Sequence, residues 1–133
     1  MSAFQSLRRW AATSTVAHVA FGFFAMGAWA VFANREHPLS LALLAGVVQG
    51  AISGLLTLGL KKFLEWFNAR LNGLAALLAP PLTTAVSILV ILVGVHTFAG
   101  TPEIAATIAV PFTVSSTYAC VYNFGLWRRR NGR

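Results

Sequence analysis

The stretch LSLALLAGVVQGAISGLLTLGLKK, residues 39–62, decides the fold class. It carries no charge before Lys61 and Lys62. As a helix it is long enough to cross a hydrocarbon core about 30 Å thick, which takes roughly 20 apolar residues. Pro38 stands just ahead of it, where the amide that proline lacks would have had no helical partner. Inside the stretch, Gly46, Gly50 and Gly54 recur every fourth residue, and so do Gln49, Ser53 and Thr57. On a helix each set forms a stripe along one face. The glycine stripe suits close approach of a second helix, within the chain or in another copy.

With this span placed at about residues 39–60, three more tracts follow the same logic, over about residues 10–33, 82–99 and 103–127, uncharged but for Glu103 at the start of the last. Of the 133 residues, 57% are hydrophobic and only 10% charged. A soluble domain usually needs about 25% charged residues to clothe its surface. The charges that exist are gathered in islands between the tracts. Every Lys and Arg except Arg35 lies in the N-terminus, the middle connection or the C-terminus. Positively charged loops stay on the cytoplasmic side. The expectation is an all-α membrane protein with four transmembrane helices in two helical hairpins, both termini cytoplasmic, in the inner (plasma) membrane. The chain is read as one transmembrane domain. Ala28-Trp29-Ala30 resembles a signal-peptidase site, but its apolar tract exceeds the roughly 7–15 residues of a signal h-region.

Residues 61–81 are expected to form a cytoplasmic amphipathic connection. Phe63, Phe67 and Leu71 share a helical face there, so either the second span continues or a short helix lies along the headgroups. Pro80-Pro81 is expected to open the third helix.

Polar side chains inside hydrocarbon are costly and should face other helices or a wet cavity. Counting about 1.5 Å per residue puts His18, Ser53 and Tyr118 at similar depth. With Gln49 they are expected to meet in one polar centre, either a structural hydrogen-bond network or a cargo or proton site. Tyr122 and Asn123 extend the hydroxyl-rich face of the fourth span, which also contains Pro111. Arg8 and Arg9 beside Trp10, Lys61 and Lys62, and Arg128, Arg129 and Arg130 beside Trp127 are candidate contacts for lipid headgroups.

Other chemistry is poorly represented. No Asp occurs, there is a single Cys120, and the three histidines fall at three depths, so neither a metal nor a cofactor is expected. No nucleophile–base pair points to an enzyme, and the net charge of +7 is explained by membrane orientation rather than by nucleic acid. The ending Asn123-Phe124-Gly125-Leu126-Trp127-Arg128, with four spans and a cytoplasmic middle loop, resembles the GtrA-like proteins. Their usual opening pattern in the first span is absent here. That resemblance implies movement of lipid-linked sugars. The leading expectation is a carrier or flippase-type component, or a binder of a lipid-like or amphipathic ligand. The alternative is a non-transporting accessory or scaffold subunit. Expected partners are membrane lipids and either further copies of the chain or a larger membrane complex.

Overall fold

The computed structural model describes residues 2–132, without the side chains of Ala11 and Ala12. Those residues form helices α1 (Ala3–Thr13), α2 (Thr15–Ala33), α3 (Leu39–Asn68), α4 (Gly73–Phe98) and α5 (Ile104–Asn131), with no strand among them. Helices α2 to α5 are each long and apolar enough to cross a membrane, which makes the chain a multi-pass membrane protein.

Three helix boundaries differ from the sequence reading, each for a local reason. The first apolar helix begins at Thr15, not Trp10. Ser14 is extended (φ −74°, ψ 121°), and its hydroxyl accepts from the Ala17 amide at 3.3 Å, so it starts a new helix. The residues before it form a helix of their own, opened by a reciprocal cap in which Ser2 and Gln5 bond each other's backbone amides. Second, α3 passes unbroken through Lys61 and Lys62 to Asn68. Third, α4 starts at Gly73 and carries Pro80 and Pro81 inside it instead of opening on them. The connection between α3 and α4 therefore shrinks to residues 69–72.

Proline inside a helix takes away the amide that would bond the carbonyl four residues earlier. Here the released carbonyls are those of Ala76 and Leu77. Both are taken up by side-chain amides. Asn123 Nδ2 donates to Ala76 at 3.0 Å and to Leu77 at 2.8 Å, and Asn68 Nδ2 donates to Ala76 at 2.9 Å. This is how α4 remains a helix through two prolines.

Helices α2 and α3 approach closely through glycines, with residue numbers rising in one as they fall in the other. A methyl added at Gly27 would lie 2.8 Å from the Gly46 carbonyl oxygen, and one at Gly50 would lie 2.8 Å from that of Phe23. At Gly22 the clash would be with the Thr57 hydroxyl, at 2.9 Å. At Gly54 the nearest atom would be 3.5 Å away, on Val19. The glycine stripe of α3 is thus occupied by α2 of the same chain. On its other side α3 meets α4 and α5 through Ile52, Ile88, Leu92 and Ile108, a buried aliphatic centre flanked by Val48, Leu56 and Phe112.

Candidate functional site: three separate polar seams

The first seam lies where α3 meets the end of α4. Gly100, with φ 71°, ends α4, and its amide bonds the Thr97 carbonyl while the Thr101 amide bonds that of His96. That left-handed glycine ending is a common helix stop. It also folds Thr101 back over the last turn, placing its hydroxyl 2.8 Å from His96 Nδ1. His96 Nε2 is 2.9 Å from Gln49 Oε1, and Gln49 Nε2 donates to the Ser53 hydroxyl at 2.9 Å. The directions follow from the amide. Its nitrogen is spent on Ser53, so its oxygen accepts from Nε2–H. Nε2 therefore carries a proton, and in the neutral imidazole Nδ1 accepts from Thr101. His96 and Gln49 have no exposed surface, and Ser53 and Thr101 are buried.

The second seam lies where α2 ends. Asn34 is fully buried. Its Oδ1 accepts from the Glu103 amide at 3.0 Å, and its Nδ2 donates to the Thr107 hydroxyl at 2.7 Å and to the Ala30 carbonyl at 2.8 Å. His37 Nε2 reaches Glu103 Oε1 at 2.8 Å, and Trp29 Nε1 donates to the Ala106 carbonyl at 2.9 Å. Together these fasten the start of α5 to the end of α2.

The third seam closes the opposite end of the bundle. Besides holding the carbonyls released by proline, Asn68 and Asn123 bond each other at 2.9 Å. Arg130 returns over them, donating to the Asn68 backbone and side chain and to Asn72 Oδ1. Trp127 Nε1 donates to the Gly73 carbonyl at 2.9 Å.

The residues singled out from sequence are therefore dispersed. Gln49 and Ser53 are together, but their partners are His96 and Thr101. His18 is exposed on α2. Tyr118 is 41% exposed and stacks on Tyr122, with centroids 5.4 Å apart, and the Tyr122 hydroxyl donates to Glu65 at 2.5 Å. Asn123 belongs to the third seam. Gly46 and Gly50 sit within the α2–α3 contact, and Gly54 borders it. Among the candidate headgroup cations, Arg8, Arg9, Lys61, Lys62, Arg128 and Arg129 are exposed, and Lys61 lies 4.0 Å from Glu65. Arg130 is committed to the loop.

Sequence reading missed Asn34, Asn68, His96, Thr101 and Thr107. One signal was available: two adjacent prolines inside an apolar run release two carbonyls and so call for nearby amide donors. Two buried hydroxyls, those of Thr84 and Ser116, have no hydrogen-bond partner among the described residues. The open grooves beside α2 and α3 are lined by side chains such as Phe23, Phe24, Leu43 and Val47, and do not reach Gln49 or His96. Comparison of the chain with protein-family models, with curated proteins and with solved structures finds no match.

Proposed function

We propose that this chain is a non-transporting accessory or scaffold subunit of the inner membrane, threaded as two helical hairpins with both termini in the cytoplasm. One observation carries the reading: the buried side-chain amides and the imidazole are all paired within the chain. Gln49, His96, Asn34, Asn68 and Asn123 each spend their polar atoms on this chain. A carrier needs unspent polar groups on a path that water or cargo can enter. The broad apolar faces, with Phe21, Phe24, Leu55, Val86 and Val90 exposed, supply surface for lipid and for larger neighbours.

The test is thiol accessibility in intact cells, starting from a Cys120→Ser background. Ser53→Cys should resist membrane-impermeant thiol reagents added from either side. Arg35→Cys should react from outside, whereas Arg128→Cys should react only after permeabilisation. Rapid labelling of Ser53→Cys would sink the scaffold reading, and outside labelling of Arg128→Cys would sink the orientation.

A second reading, binding of an amphipathic ligand at the lipid-facing surface, draws on a different observation. The Tyr118–Tyr122–Glu65 strip presents polar atoms on the outside of the bundle rather than within it. A cargo met there would travel along the protein's flank. Glu65→Gln with Tyr122→Phe would abolish such binding and leave the closed centre unchanged.

A further inference from the structure

Among the described residues, α1 is the one helix too short to span, and it has a large apolar face left uncovered. Phe4, Leu7 and Trp10 are 68, 61 and 55% exposed. At 100° per residue these three, with Ala3, fall within one arc of about 120°. Gln5, Ser6, Arg9 and Thr13 occupy the rest of the circumference. Arg8 borders the apolar arc beside Phe4, and its guanidinium carbon lies 5.9 Å from the centre of that ring. Arg9 points almost directly away from the arc.

What covers the face follows from where α1 is tied. A single residue, Ser14, separates it from α2, a membrane-spanning helix. The extended backbone of Ser14 breaks the helix there, so α1 need not continue along the axis of α2. The apolar arc is thereby held at the membrane boundary, at the level of acyl chains and phosphates. An apolar arc bordered by one cation at that depth matches a leaflet rich in anionic lipid.

We propose that α1 is an in-plane helix whose Phe4–Leu7–Trp10 face enters an anionic leaflet, with Arg8 as its phosphate contact. The two arginines are not equivalent in this arrangement. Arg8 reaches phosphates from the edge of the buried face, whereas Arg9 stands in water on the far side.

The full chain, carrying Cys120→Ser and one spin-labelled cysteine in turn at Phe4, Gln5, Leu7, Arg9 or Trp10, is reconstituted into two kinds of vesicle. One is phosphatidylcholine alone, the other phosphatidylcholine with a third phosphatidylglycerol. Relaxation by oxygen against a water-soluble nickel chelate reports depth. In the anionic vesicles, labels at 4, 7 and 10 should lie in lipid and those at 5 and 9 in water. Arg8→Gln should lower the inserted fraction relative to free helix about fivefold, the worth of one cation near an anionic surface, and Arg9→Gln should have a clearly smaller effect. Water exposure at all five positions in anionic vesicles would overturn the proposal, as it would if a protein partner covers this face. Equal effects of the two arginine substitutions, or insertion indifferent to phosphatidylglycerol, would overturn the assignment of Arg8. Because α1 lies outside the packed helices, far-UV circular dichroism of each variant should keep the α2–α5 signal.

Discussion

The third seam makes a quantitative prediction, because a substitution on α5 should be repaired by one on α4. Asn123→Leu removes the bonds to Ala76, Leu77 and Asn68. The Ala76 carbonyl keeps Asn68 Nδ2, but the Leu77 carbonyl loses its donor because residue 81 is proline. Hydrogen bonds between membrane helices average about 0.6 kcal/mol, and a buried group left unpaired costs about 1–3 kcal/mol. The variant should therefore be destabilised by roughly 3 kcal/mol, with the Leu77 orphan as the largest part. Pro81→Ala gives Leu77 a helical amide of its own. In that background the cost of Asn123→Leu should fall to about 1–2 kcal/mol, the orphan penalty having gone. Reversible unfolding by a denaturing detergent in mixed micelles, followed by circular dichroism and by tryptophan fluorescence, measures all four corners of the cycle. Trp127, one of four tryptophans, sits on the same seam and contributes to that signal. If Asn123→Leu costs the same with and without Pro81, the asparagine is not serving the carbonyls that proline releases.

Two further outcomes follow from packing. Gly27→Ala would bring a methyl to 2.8 Å of the Gly46 carbonyl oxygen, so α2 and α3 must part, at about 1–3 kcal/mol. Gly59→Ala on the same α3 meets nothing within 4 Å and should be neutral or stabilising by up to about 1 kcal/mol through helix propensity; equal losses in the same unfolding assay would contradict the close approach. Thr84→Val replaces a buried, unpartnered hydroxyl by a methyl and should leave stability unchanged or raise it by up to about 1 kcal/mol. A loss larger than that would mean the hydroxyl is bonded to something, such as a water molecule.

The helical class and the four spans were legible from charge and hydropathy because lipid permits few alternatives to the helix. The helix ends were less legible. Counting depth from Lys61 and Pro81 as a common floor puts Gln49 about 18 Å and His96 about 22 Å above it. That difference, nearly one helical turn, does not single out His96 over His18 or Tyr118 as the partner of Gln49. In the structure Asn68 meets Ala76, and from that level Gln49 and His96 rise about 28 and 30 Å, which brings them side by side. The floor lies seven residues lower on α3 but only five lower on α4, and that inequality brings the two residues to nearly the same depth. Hydropathy does not locate those ends, because the added segments depend on side-chain donors from other helices. His18 shows the complementary limit. Periodicity places it on a helix, but α2 has an almost uniformly apolar circumference, so nothing in the sequence says which side faces inward.

The placement of the polar residues bears on what the chain can do. At one end of the bundle, asparagines satisfy carbonyls released by proline. At the other, Asn34 bonds the α5 backbone, and the Gln49–His96–Thr101 line ties α3 to the turn after α4. Between these ends, the layer of Ile52, Ile88, Leu92 and Ile108 is aliphatic. In hydrocarbon an unpaired amide is costly, and each pairing that removes the cost also fixes the register of two helices. Using Gln49 or His96 for a cargo would mean taking it from that register, so recruitment and partial opening would have to occur together. A bundle this small, with its buried amides spent in this way, meets its surroundings more readily from the outside. There the exposed apolar faces, the Tyr118–Tyr122–Glu65 strip and α1 are the surfaces available to neighbours.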